Sequence, residues 1–254
     1  PADATHVLSQ SYRVPNAVHT YAMRWIRRHH GYRDFAYAPR PGDGCVFRSP
    51  YGLRAATHWV DRVARAASAT SPAMIIASCG YMLRPVCQAL RRAGIPFHNP
   101  WRPTLAAWNP LQSHGHYGLT MGERITRLLR RHREGYWLPT DIVAWLSPLE
   151  PSGVFCDPGV SVALTMPEHM SLGEIEPWVQ AVLLPEAWDA ITASDMQDVL
   201  IWWQAHLRTS ARKMAQYPAT IVARQGVEAL TTTPAITVGT YHSLKGTEAA
   251  TVYC

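Results

Sequence analysis

Thr237-Val238-Gly239-Thr240-Tyr241-His242-Ser243-Leu244-Lys245-Gly246-Thr247-Glu248-Ala249-Ala250-Thr251-Val252-Tyr253-Cys254 is the stretch around which the rest of the sequence is read. Two β-prone apolar runs, residues 235–240 and 249–253, bracket a turn that crowds a hydroxyl, an imidazole, an ammonium, a glycine and a carboxylate together. In a parallel α/β sheet, ligands gather at the carboxyl ends of the strands. Polar groups leaving such a strand are therefore placed to meet phosphate, ribose or nucleic acid.

Upstream, Met74-Ile75-Ile76-Ala77 is a continuous apolar run of the buried-strand type. A helix with Leu83, Val86, Cys87 and Leu90 on one face follows it and closes at Ala93-Gly94-Ile95-Pro96. Another helix, with Ala56, Trp59, Val60 and Val63 at the same spacing, precedes it. This alternation is what a parallel sheet with crossover helices requires. Nearer the start, Pro15-Asn16 opens a helix whose Val18, Tyr21, Ala22 and Trp25 are expected to face the core, and a Pro/Gly-rich turn from 39 to 44 leads into an expected short strand, residues 45–48.

From Asn99 to about Pro234 the pattern becomes helices joined by Pro- and Trp-containing loops. Its clearest helices are expected over 123–134, with Ile125, Leu128 and Leu129 inward, and over 195–214, with Met196, Val199, Leu200, Trp203 and Leu207 along one stripe. The expected organisation is a parallel α/β domain formed by residues 1–98 and 235–254 in one sheet, interrupted by a mostly helical insertion, residues 99–234.

An apolar fraction of 47% and ten tryptophans mark a globular chain, and no apolar run is long enough to span a bilayer. No basic-then-apolar leader is visible, and the five cysteines, Cys45, Cys79, Cys87, Cys156 and Cys254, are scattered and never spaced Cys-x-x-Cys. A reduced, cytoplasmic protein is the expectation. The formal charge of +6 comes almost wholly from arginine, which favours planar, bidentate partners such as phosphate, although a solvated basic face explains the same composition.

The order Gly239-Thr240-x-His242-Ser243-x-Lys245-Gly246-x-Glu248 resembles motif V of the UvrD/Rep-type superfamily 1 helicases. Leu8-Ser9-Gln10-Ser11-Tyr12-Arg13-Val14-Pro15 resembles motif IV of the same family, and residues 74–97 resemble the strand, helix and Gly-Ile-Pro that precede the insertion in its second RecA-like domain. The resemblance covers residues 1–98 and 235–254 and says little about the insertion. It implies a RecA-like fold and a set of roles. Tyr12 would stack on the base of ATP and Arg13 would reach its γ-phosphate, where an arginine neutralises charge developing in phosphoryl transfer. Glu248 would accept from a ribose hydroxyl, Gly246 would let the backbone approach the terminal phosphate, and Thr240 and His242 would face single-stranded DNA. Ser11 stands where many relatives carry asparagine. Without the resemblance, His242 is a satisfied loop histidine and Glu248 a surface charge.

Elsewhere, the basic run Arg124, Arg127, Arg130, Arg131 and Arg133 fits either a phosphate track, with Arg127 and Arg131 as nucleic-acid contacts, or a solvated helix face. His114 and His116 flank Gly115, but no cysteine or carboxylate stands at ligand spacing, so a metal is not expected. No Gly-x-x-x-x-Gly-Lys-Ser/Thr loop occurs and the Walker B carboxylates are missing, so ATP and Mg²⁺ would be bound mainly by a first RecA-like domain that the sequence lacks. The expectation is therefore the carboxyl-terminal part of an ATP-dependent DNA helicase or translocase, cut before motif VI and inactive as an ATPase alone. Its partners would be single-stranded DNA, duplex junctions and that first domain. The rival reading is a non-catalytic, helicase-like module that binds DNA or protein.

Overall fold

The computed structural model describes residues 9–33, 37–112, 118–157 and 170–254. The chain divides into two compact units, Pro1–Gly52 and Leu53–Cys254. No boundary is expected there from the sequence.

In the first unit, strand β1 (Gln10–Pro15) runs parallel to β2 (Ala38–Arg40), with an irregular register between Gln10↔Ala38 and Pro15↔Arg40. Ser11 lies within the irregularity: its hydroxyl accepts from the backbone N–H groups of Arg13 and Val14 at 3.2 and 3.0 Å, local bonds that compete with the ladder. Proline at 15 then ends the strand, and α1 (Asn16–Ile26) begins. None of its residues is buried, and Val18, Tyr21 and Trp25 are exposed, so the face expected to enter a core does not. Residues 45–48 form no strand. They lie in an extended loop without ladder partners.

The second unit holds a three-stranded parallel sheet in the order β4 (Ile236–Thr240), β3 (Ala73–Ala77), β5 (Thr251–Tyr253). Ala73 pairs with Ile236 on one side and Thr251 on the other. The outer edge of β4 takes one further parallel bridge from His98. The sheet expected to contain motif IV does not. β1 pairs with β2 of its own unit instead.

A 3₁₀ turn (Leu53–His58), α2 (Val60–Ala66) and α3 (Arg84–Arg92) pack on this sheet. Val60, Val63, Val86 and Leu90 meet Ile75, Ile236 and Val238 in one apolar core. Phe97 joins them, and Trp59 stacks on Tyr253 at 5.7 Å.

A second core, running in sequence from Ile125 to Val227, is helical. It is built from α4 (Met121–Leu128), α5 (Arg130–Glu134), α6 (Pro139–Leu146), α7 (Leu172–Val182), α8 (Pro185–Ile191), α9 (Met196–Ala205) and α10 (Thr209–Gln225). The helix expected over 123–134 is interrupted at Leu129, whose ψ of 0° leaves the α-helical range. The one expected over 195–214 is broken at 206–208, where Glu150 donates to the His206 carbonyl and Arg208 to that of Pro148 around a Leu149–Leu207 bridge. Helix α10 links the two cores: Tyr217 donates to the Ile95 carbonyl at 2.9 Å, Arg224 to that of Ala93, and Arg224 also pairs with Asp61 at 2.7 Å. The structure is thus mixed α/β with small parallel sheets. Among the described residues no helix is long and apolar enough to cross a membrane.

Candidate functional site

The motif V turn leaves the sheet at the carboxyl end of β4. Ile236 and Val238 point into the α/β core, and the alternation of a strand sends Thr237 and Gly239 to the opposite face. Beyond Thr240 the chain is tied at once, because Tyr241 donates its backbone N–H to the carbonyl of Ala77, the last residue of β3. Thr240 and Ser243 then cap each other: the Ser243 hydroxyl accepts from the Thr240 N–H at 3.0 Å and the Thr240 hydroxyl accepts from the Ser243 N–H at 3.2 Å. Leu244 is buried and anchors the turn, and its carbonyl accepts from the Thr247 hydroxyl at 2.6 Å.

What the turn presents outward follows from what it holds inward. Tyr241, His242, Lys245, Gly246 and Glu248 are exposed, at the end of the sheet where a parallel α/β fold receives ligands. Thr240 is half-buried with its hydroxyl committed to Ser243, so of the two residues assigned to a DNA path only His242 stands fully on the surface. Gly246 has φ of +83°, and a Cβ built there meets nothing within 4 Å; backbone conformation, not crowding, is what calls for glycine.

A residue pair outside the expected site holds this turn from behind. Asn99 is completely buried, and its amide donates to the Val238 carbonyl at 2.8 Å and to the Ser243 hydroxyl at 3.4 Å. Its carbonyl oxygen accepts from the Trp101 N–H, and its own N–H donates to Asn109 Oδ1 at 2.8 Å. Asn109 completes the set by donating to the carbonyls of Arg102 and Leu105. The amide group of Asn99 lies where a side chain at 239 would go: an added Cβ would stand 2.5 Å from Asn99 Nδ2, 2.7 Å from Ser243 Oγ and 2.8 Å from a Leu244 methyl. A glycine inside a strand is the available signal for such a close approach. The Asn-Pro pairs at 99–100 and 109–110 look like loop punctuation only.

In the first unit Tyr12 is 83% exposed and Arg13 is exposed beside it. Ser11 fixes the backbone from which both side chains leave. Leu8, the first residue of the motif IV resemblance, lies outside the described residues, as do His114 and His116.

The arginine run has internal partners. Arg124, whose pKa is lowered by burial and by the charge of Arg127, donates to the Ala144 carbonyl and to Ser147 Oγ. Arg127 donates to the Thr140 carbonyl at 3.0 Å and stands 4.0 Å from Asp141. Arg130 is ion-paired with both Asp141 (2.8 Å) and Glu134 (3.1 Å), Arg131 with Glu176 (2.6 Å) and Arg133 with Glu228 (2.7 Å). Asp141 is 1% exposed, so this is a polar girdle stitching α4, α5, α6 and α7 together. That geometry favours a structural role for Arg127 and Arg131 over a phosphate track.

Among the described residues no group of three or more His, Cys, Asp or Glu side chains is placed to hold a metal ion. No protein-family model, no curated protein and no solved structure matches the chain in comparison.

Proposed function

We propose that this chain is the carboxyl-terminal helicase region of a UvrD/Rep-like, ATP-dependent DNA helicase or translocase, with a RecA-like α/β portion carrying a helical insertion. The observation that carries the reading is the turn at the carboxyl end of β4. There a self-capped Thr240–Ser243 backbone presents His242, Lys245 and Glu248 outward from a parallel strand. The linear order of those residues and the Tyr12-Arg13 pair support it from the sequence side.

ATP supplies the phosphoanhydride whose cleavage drives movement. Each unit carries residues to which the resemblance gives a role: in the first, an exposed ring at Tyr12 for the base and the Arg13 guanidinium for the terminal phosphate, and in the second, the Glu248 carboxylate for a ribose hydroxyl. On this reading Mg²⁺ would be held mainly by a first, Walker-bearing RecA-like domain. His242 contacts single-stranded DNA, and Thr240 and Ser243 hold it in place.

The test is equilibrium binding of a labelled single-stranded oligonucleotide to the purified chain. His242→Ala weakens binding several-fold while leaving the thermal transition unchanged, because the imidazole is exposed. Equal affinity in the variant and the parent would remove the DNA-facing assignment of the turn.

A further inference from the structure

The loop over residues 99–109 carries two tryptophans with opposite fates. Trp108 packs against the α/β core, and its ring lies 3.3 Å from where a Cβ on Gly80 would stand. Trp101 is 62% exposed. A large aromatic left in water on a mobile loop would mean little, but this loop is internally braced. Arg102 donates to the Asn99 carbonyl, Leu105 to that of Arg102, and Trp108 and Asn109 to that of Leu105. Arg91 on α3 donates from one guanidinium nitrogen to the carbonyls of Ala106 (3.2 Å) and Ala107 (2.9 Å).

The bracing fixes Trp101 relative to the motif V turn. The Trp101 N–H is held at 3.0 Å by Asn99 Oδ1, and the amide nitrogen of the same side chain bonds Val238 and Ser243. One buried asparagine therefore joins the backbone of Trp101 to the backbone and hydroxyl that set His242. The charge within this loop has one sign: residues 98–112 contain no aspartate or glutamate, and Arg102 next to Trp101 is exposed. On the turn, Lys245 and Glu248 are both exposed. An exposed indole on a rigid backbone, beside a guanidinium and beside a turn with an outward imidazole and ammonium, has the makings of a single-strand site: a cationic path with an aromatic face on which a base can stack.

We propose that Trp101 is a base-stacking residue for single-stranded nucleic acid, positioned by Asn99 and continuous with the surface that His242 presents. The inference rests on the DNA-facing reading of the motif V turn and adds a contact which the helicase resemblance does not supply. Stacking on an indole needs a base and neutralises no phosphate. Its loss therefore lowers affinity without changing the number of counterions released, whereas loss of a phosphate contact changes that number.

The experiment measures fluorescence anisotropy of labelled oligothymidylate, and of a matched abasic strand, across a salt series. Parent, Trp101→Ala, Trp101→Phe, Arg102→Ala and His242→Ala chains are compared. Trp101→Ala is expected to bind oligothymidylate roughly 5- to 100-fold more weakly with an unchanged salt slope. It should bind the abasic strand as the parent does, and Trp101→Phe should recover much of the loss. Arg102→Ala is expected to make the salt slope shallower. Because the indole is exposed, the thermal transition of Trp101→Ala should match that of the parent. If His242→Ala weakens binding while Trp101→Ala does not, the stacking role is overturned and the motif V surface stands. If Trp101→Ala weakens binding and His242→Ala does not, the motif V assignment falls and the stacking residue stands. No binding by the parent chain overturns both, and a Trp101→Ala loss that is equal on the abasic strand overturns stacking as its cause.

Discussion

Gly239→Ala adds one methyl group to a buried strand, and its effect can be worked from three distances. The backbone at 239 is not in the left-handed region, so alanine is conformationally acceptable there and even gains about 0.5 kcal/mol over glycine in a strand. Space is the difficulty. The new Cβ would lie 2.5 Å from Nδ2 of the buried Asn99 behind the turn, and 2.7 Å from Ser243 Oγ and 2.8 Å from a Leu244 methyl within it. Overpacking of this kind costs about 1–3 kcal/mol. Displacing the Asn99 amide from the Val238 carbonyl would add about 1–3 kcal/mol for a buried group left without its partner. The net expectation is a loss of about 1.5–5.5 kcal/mol, or a fall in melting temperature of roughly 3–20 °C for a unit of this size. Thermal unfolding followed by circular dichroism reads it. Asn99→Ala removes the nearest obstacle, so the two substitutions together should cost less than the sum of each alone by about 1 kcal/mol. Additivity within about 0.5 kcal/mol, or a Gly239→Ala chain as stable as its parent, would refute the clamp.

The arginine girdle gives the opposite pattern to a DNA contact: Arg127→Ala and Arg131→Ala should lower stability, through lost bonds to Thr140 and Glu176, and leave the salt slope of DNA binding unchanged. A shallower slope at undiminished stability would return these side chains to the phosphate track. His98 gives a pH dependence. Burial lowers its pKa, so the unfolded chain takes up a proton at a higher pH than the folded one. Its contribution to stability is present above about pH 6.5, the ordinary histidine value, and is lost as the pH falls through the lower folded value. Denaturant midpoints measured from pH 7 down to pH 5 should fall less in His98→Gln than in the parent; parallel curves would contradict the assignment.

Signals local to a few residues were legible in the sequence. Met74-Ile75-Ile76-Ala77 has to be an interior strand because it is apolar on both faces, and Ile236 to Thr240 follows as its parallel neighbour. The polar turn after Thr240 needed only its composition to be singled out. What escaped depends on partners distant in sequence. Leu207 sits on a helical stripe, yet its backbone pairs with residues 148–150, and no pattern near 207 announces that. The face of α1 has helical spacing, and spacing states that a face exists without supplying what covers it. The arginines from 124 to 133 look like a solvated or DNA-facing run until Asp141, Glu176 and Glu228 are brought to them by the fold. Asn99 looks like loop chemistry because its partners, Val238 and Ser243, lie at the other end of the chain.

The most direct measurement of the proposed function is steady-state ATP hydrolysis, against both ATP and single-stranded DNA concentration, in a polypeptide that carries this chain together with the Walker-bearing domain the proposal requires. Arg13→Ala is expected to lower kcat by about 10³-fold or more with a much smaller change in KM for ATP, because the guanidinium acts on charge that develops in the transition state. Glu248→Gln should raise that KM and keep more of kcat, since a ribose contact binds ground and transition states alike. Parent-like kinetics in the Arg13 variant would contradict the claim that this chain completes a helicase ATP site.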